Sequence, residues 1–162
     1  MSFLCPLSSK THVIMKAPNF KLPSTSGIFQ LSNYLGKNII LYFYPKDNTK
    51  GCSIEANDFN NSLSLITKYN SIVVGVSKDS IESHQNFKKK NNLKFDLLTD
   101  ENMKVLKTYN AWGLKKFLGK EYYGIIRTTV LINVKGNIVK TWSNVRVKNH
   151  VQNIIEELKS LK

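Results

Sequence analysis

Residues 39 to 44 read Ile-Ile-Leu-Tyr-Phe-Tyr and stop at Pro45, an unbroken apolar run dense in β-branched and aromatic side chains. Such a run suits a strand buried on both faces of a sheet, and the proline after it cannot donate to a continuing ladder. Asp47, Asn48, Thr49 and Gly51 are loop formers. Beyond Cys52, Ile54, Phe59, Leu63 and Ile66 recur at helical spacing. A strand therefore feeds a short loop, and the loop delivers a cysteine to the first turn of a helix predicted over about Cys52 to Tyr69. Unpaired backbone N–H groups and the positive end of the macrodipole favour an anion there. A thiol so placed is disposed to ionise and act as a nucleophile, although the same context also suits an inert cysteine packed as a small hydrophobe.

The rest of the chain repeats the alternation. Phe29 to Leu31 reads as a short strand, with Ser32 a cap for the helical turn that follows. Ser71 to Ser77 is a second buried strand, Asp79 or Ser80 caps a helix running to Lys90, and Phe95 to Leu98 is a third strand. Asn102 to Tyr109 suits a short helix, with the following Asn-Ala-Trp-Gly closing it. Thr128 to Asn133 and Ile138 to Trp142 are strands joined by a tight turn at Gly136. In the stretch His150 to Leu161, Val151, Ile154, Ile155 and Leu158 share one helical face. Strands alternating with helices, then a hairpin, then a terminal helix describe an α/β sheet covered on both sides, with an antiparallel pair at its edge.

Composition narrows the function. Only Cys5 and Cys52 are cysteines, and His12, His84 and His150 are scattered, so no metal site is expected and no disulfide framework fits. The 24 basic against 11 acidic residues give a formal charge of +13, which invites a nucleic-acid reading. The excess is almost all lysine, spread over most elements, and few aromatics alternate with basic residues as a stacking platform requires. A solvated basic surface is the better reading. No apolar run approaches the ~20 residues of a membrane helix. Residues 1 to 10 lack a basic region followed by an adequate apolar core, so no signal peptide is read, and a cytoplasmic location is expected, with export by another route left open.

Pro45, Thr49 and Cys52 stand in a P-x-x-x-T-x-x-C arrangement within the stretch YFYPKDNTKGCSIEA. This loop resembles the active-site signature of the peroxiredoxins, and most closely that of the bacterioferritin comigratory protein (peroxiredoxin Q) subfamily. The resemblance extends over about residues 16 to 160, through APNFKLPSTSG, the Thr99-Asp100 pair, YNAWG, YYGIIRTTVLINVKGNIV and the helical tail. It implies a thioredoxin-like, three-layer α/β fold with a central mixed sheet flanked by helices, in a single domain over 16–162 preceded by an arm, 1–15.

The resemblance also implies a chemistry: Cys52 attacks the O–O bond of hydrogen peroxide or an organic hydroperoxide, and becomes a sulfenic acid. Arg127, one of only two arginines, matches the family's active-site arginine and would hold the thiolate and the peroxide oxygen together. Thr49 would set its hydroxyl against the sulfur or the peroxide. Pro45 would shield the pocket or only end the strand, Gly51 supports the loop, and Glu55 would orient Arg127 or stabilise the helix start. No cofactor is implied. The implied partners are the peroxide and a thiol reductant such as thioredoxin, glutaredoxin with glutathione or a small dithiol, with no nucleic acid and no membrane, and with the chain a monomer or weak dimer.

Two residues depart from the family's pattern. Many members carry a second cysteine five residues after the first to resolve the sulfenic acid, and here that position is Asn57. Either an external thiol then recycles Cys52 directly, in a 1-Cys scheme, or Cys5 on the arm resolves it. Lys50 stands where the family usually has proline, which loosens the loop and puts an ammonium beside the sulfur, favouring the thiolate. Two other readings belong to different classes: a redox sensor that passes oxidation to a partner, and a basic binding protein on a thioredoxin-like scaffold.

Overall fold

The computed structural model describes residues 14–161. Its centre is the apolar run: β4 (Asn38–Phe43) is buried at every position. Parallel to it lies β5 (Ser71–Ser77), and beyond that β6 (Asp96–Thr99). On the other side β9 (Thr128–Ile132) runs antiparallel to β4, followed by β10 (Asn137–Trp142) and the edge strand β1 (Met15–Lys16). The hairpin β2 (Lys21–Ser24) and β3 (Gly27–Gln30) completes the opposite edge, giving the order β1-β10-β9-β4-β5-β6-β2-β3. The expected antiparallel pair is present, though it lies one strand in from the edge, because Met15 and Lys16 pair with Ile138 and Asn137.

Period-two alternation in β4 divides the core. Ile39, Leu41 and Phe43 face a cluster that includes Val74, Val130 and residues of α4 (Lys104–Thr108). Ile40, Tyr42 and Tyr44 face the other cluster, built from α1 (Lys50–Asn61), α2 (Leu63–Lys68), α3 (Ile81–Asn91) and α5 (His150–Lys159). Helices therefore cover both faces of a mixed sheet, the three-layer arrangement expected. The described stretch of the expected arm is its last two residues, Ile14 and Met15, and Cys5 lies outside the described residues.

The structure corrects two expectations. The helix from about Cys52 to Tyr69 is two helices broken at Ser62, whose N–H reaches back to both Asp58 and Phe59 carbonyls. Asn60, Asn61 and Ser62 are weak helix formers, and their polar side chains favour the end of a helix over its interior. A second hairpin, β7 (Trp112–Phe117) with β8 (Lys120–Ile125), was not foreseen. It forms its own two-stranded sheet.

One glycine makes room for a core ring between β4 and β5. A Cβ on Gly75 would lie 2.8 Å from Tyr42 Cζ, so the buried Tyr42 ring rests directly on the Gly75 backbone. Gly75→Ala is expected to lower the unfolding free energy by about 1–3 kcal/mol in a urea titration, since a filled core cannot absorb the methyl group. An unchanged midpoint would contradict this packing.

Candidate active site

β4 and β9 position the site. Phe43 and Thr128 are register partners across the two strands, so Arg127, just before β9, meets the chain as it leaves β4. Tyr44 still donates its N–H to Val76, and from Pro45 the chain turns away from the sheet. Asn48 takes a left-handed conformation, φ 63°, which its short polar side chain tolerates. Thr49 is the N-cap of α1, and Cys52 falls in the first turn, 1% exposed, with Glu55, Ala56 and Phe59 on the same buried face.

Arg127 joins the functional groups. Its Nη2 lies 3.5 Å from Cys52 Sγ, and its Nη1 donates to Glu55 Oε1 at 2.6 Å. Its backbone is held by Val145, whose N–H donates to the Arg127 carbonyl. Gly51 makes room, since a Cβ there would sit 3.2 Å from Arg127 Nη2. Arg127 also lines a pocket of about 400 Å³ with Pro45, Leu114, Lys115, Ile126 and Val145. The guanidinium is thus the group that both faces the pocket and touches the sulfur.

Burial sets the charges. Glu55 is fully buried and its Oε2 has no hydrogen-bond partner among the described residues. Desolvation pushes its carboxyl up to about 7, with Arg127 pulling the other way. Burial opposes the charge on Arg127, but Glu55 and Cys52 more than offset it, so the guanidinium is held above its ordinary value. Lys115 at the pocket rim is lowered by burial and by Arg127, and donates to the Ile125 carbonyl at 2.8 Å. His150, behind the site, is lowered to about 4 by burial and then by Arg127, while its Nε2 meets Thr129 Oγ1 at 2.8 Å. It is neutral near pH 7.

The structure brings together Cys52, Arg127, Glu55 and Gly51, and sets Pro45 in the pocket wall. Thr49 is placed differently. Its hydroxyl donates to the Lys46 carbonyl at 2.9 Å, and among the described residues the sulfur's one hydrogen-bond partner is Arg127. With its proton committed, Thr49 offers only lone pairs. Asn57, where the resemblance leads one to look for a resolving cysteine, donates to the Ser53 carbonyl at 2.8 Å and to Asn91 Oδ1 at 3.0 Å, tying α1 to α3. Sequence reasoning missed Leu114 and Lys115, which belong to the unforeseen hairpin, and the partners of Asp47. The carboxylate of Asp47 accepts from Tyr44 Oη at 2.6 Å and from Ser83 Oγ at 2.7 Å, and meets His84 Nδ1 at 2.8 Å. No local signal marks these contacts, because an aspartate in a turn and a lone histidine on a helix are ordinary.

A buried cysteine at a helix start, faced by a guanidinium at the end of a thioredoxin-like sheet, defines a thiol peroxidase, an oxidoreductase. The AhpC/TSA family model matches residues 13–141. The chain is 46% identical over 147 residues to peroxiredoxin Bcp of Bacillus subtilis, covering 90% of this chain and 94% of that one. It is 45% identical over 150 residues to a putative peroxiredoxin bcp of Helicobacter pylori, covering 92% and 99%. Among solved structures, peroxiredoxin Q of Xanthomonas campestris superposes with a TM-score of 0.83 at 34% identity, covering 88% and 90%. Another structure of the Xanthomonas campestris protein, described for its alkyl peroxide reduction activity, gives 0.83 at 33% identity, covering 87% and 90%. The chain belongs to the peroxiredoxins, in the Bcp/peroxiredoxin Q branch of the AhpC/TSA family. Its activity takes a peroxide as substrate and a thiol as reductant.

Glu55 gives the site a testable pH dependence. Its value in the folded chain is about 7 against an ordinary 4.5, so the stability it confers is complete below pH 4.5 and is lost as pH rises through 7. Glu55→Gln removes this contribution. Between about pH 4.5 and about pH 8, the unfolding free energy of the native protein is expected to fall more steeply than that of the variant. Equal slopes in the two proteins would contradict the assignment.

Proposed function

We propose that Cys52 is the peroxidatic residue and that Arg127 is the group that activates it and receives the substrate. The observation that carries this reading is the bridging guanidinium, with Nη2 at 3.5 Å from Sγ and Nη1 at 2.6 Å from Glu55. The Cys52 thiolate attacks the hydroxyl oxygen of the hydroperoxide. An S–O bond forms as the O–O bond breaks, the electron pair comes from sulfur, and the departing alkoxide or hydroxide takes a proton from water. Cys52 is left as a sulfenic acid. Arg127 stabilises negative charge on both sulfur and oxygen as it moves between them, and Glu55 fixes the plane of the fork. Thr49, with its proton on Lys46, accepts the peroxide's own hydrogen bond, and Pro45 and Gly51 shape the approach.

Recycling is external. A thiol attacks the sulfenic sulfur, releasing water and forming a mixed disulfide, and a second thiol displaces reduced Cys52. Asn57 ties α1 down where many relatives have a resolving cysteine, which supports this 1-Cys scheme. Thioredoxin, glutaredoxin with glutathione or a small dithiol fits as reductant, and hydrogen peroxide and organic hydroperoxides fit as substrates. The protein acts as a monomer or weak dimer, its residues from 16 onward forming a single domain, in the cytoplasm where such reductants are plentiful. No described helix is long and apolar enough to cross a membrane.

Peroxide consumption driven by a small dithiol tests these roles. Cys52→Ser is expected to abolish turnover, Arg127→Lys to reduce it on the order of a hundredfold because the fork is lost, and Cys5→Ser to leave it unchanged. Native turnover in Cys52→Ser would overturn the assignment, and loss of turnover in Cys5→Ser would replace external recycling with an arm-borne resolver.

A further inference from the structure

His84 sits on α3 with no exposed surface, and both ring nitrogens face oxygen atoms. Nε2 is 3.0 Å from the Leu98 carbonyl, which can only accept, so Nε2 carries a proton. Nδ1 is 2.8 Å from Asp47 Oδ2. Tyr44 has given its proton to Asp47 Oδ1 and lies 3.3 Å from Nδ1 as a possible acceptor only. A proton must therefore also occupy the Nδ1···Oδ2 contact. Asp47 and His84 form a buried, proton-bearing pair, with Ser83 Oγ the third donor to the same carboxylate.

The pair lies outside the reacting atoms but grips the segment that places them. Asp47 is the buried residue between exposed Lys46 and Asn48, and its backbone N–H donates to Asp79 Oδ2 at 2.8 Å. Asp79 in turn accepts from Ser77 Oγ at 2.8 Å. Side chain and backbone of one loop residue are thus bound to α3, to the end of β5 and, through His84, to β6. Asp47, Asp79 and His84 are close enough to suggest a cation site, but protein donors already occupy their facing atoms. The cluster is spent on holding the loop. Two residues to one side of Asp47 is Pro45 in the pocket wall, and two to the other is Thr49, the cap of the helix that carries Cys52.

We propose that the Asp47–His84 pair is a positioning unit of the active site, holding the Pro45–Thr49 segment in the shape that keeps Cys52 beside Arg127 and so setting the rate of Cys52 oxidation. The proposal rests on Cys52 being the peroxidatic residue. The two ring nitrogens separate positioning from packing. Asn at position 84 can reproduce the Nδ1 donor and loses the Leu98 contact, whereas Gln can reproduce the Nε2 donor and loses Asp47. Each variant gives up one buried hydrogen bond, so a purely structural histidine would show similar stability losses and no difference in rate.

The measurement is the second-order rate of Cys52 oxidation by hydrogen peroxide in native, His84→Asn, His84→Gln and Asp47→Asn proteins, each at a temperature where circular dichroism shows it folded. His84→Gln and Asp47→Asn are expected to slow oxidation on the order of tenfold to a hundredfold, with His84→Asn within a few-fold of native. Native rates in His84→Gln and Asp47→Asn, or equal slowing in the two His84 variants, would overturn the proposal. If either His84 variant does not fold, the Asp47→Asn rate alone decides. Cys52→Ser, followed in parallel, keeps the two claims apart. Peroxide consumption driven by a small dithiol that persists there defeats the assignment of Cys52, whereas a Cys52 oxidation rate indifferent to Asp47 defeats only the positioning unit.

Discussion

β4 is buried at all six positions between two layers of helices, and this burial decides where chemistry can occur. A strand covered on both faces has no room for a charged side chain along its length, since an unpaired charge in that environment is too costly. Polar groups collect instead where the strands end. β4, β5 and β6 are parallel, so their C-terminal ends lie together, and the loops that leave them bring Asp47, Asp79 and Asp100 to one side of the sheet. β9 is antiparallel to β4, so its N-terminal end arrives there too, with Arg127 just ahead of it. The meeting of Cys52 and Arg127, 75 residues apart in the chain, follows from strand direction and register.

Around that meeting point the protein holds several unlike groups in balance. Arg127 is charged and largely sheltered, and it is shared between a sulfur and a carboxylate. Glu55 is so deeply buried that its own ionisation is opposed, while its contact with the guanidinium works in the other direction. Gly51 leaves the space Arg127 occupies. On the far side of the loop, Asp47 is bound by Ser83 and His84 of α3. These bonds tie the loop to a helix more than thirty residues further along the chain.

Much of this was legible in the chain. The unbroken run at Ile39, the matching run at Ser71 and the one-sided face of Val151, Ile154, Ile155 and Leu158 each identify a buried element by period alone. The hairpin of Trp112–Phe117 and Lys120–Ile125 escaped because only its base reaches the core, at Ile125 and Trp112, while its outer residues are open, Phe117 64% and Tyr123 68% exposed, so little of its length carries a buried pattern. The division of the long helix at Ser62 was written in Asn60, Asn61 and Ser62, but the apolar spacing of Leu63 and Ile66 masked it. Of the residues named from the loop motif and the position of the arginine, Cys52, Arg127 and Glu55 are the ones that meet in the structure. His84 was not foreseen, because its partner is 37 residues away and nothing in either neighbourhood announces the pairing. Thr49 was found, but the direction of its hydroxyl depends on a loop carbonyl that no sequence pattern reveals.

In the proposed chemistry a buried sulfur is the first group to meet peroxide. The most direct measurement is the intact mass of reduced protein within seconds of about one equivalent of hydrogen peroxide, with both cysteines mapped by peptide and a sulfenic-acid reagent present. The gain of a single oxygen on Cys52, captured by the reagent, is the result this geometry predicts. A protein whose Cys52 keeps its reduced mass under those conditions would contradict it.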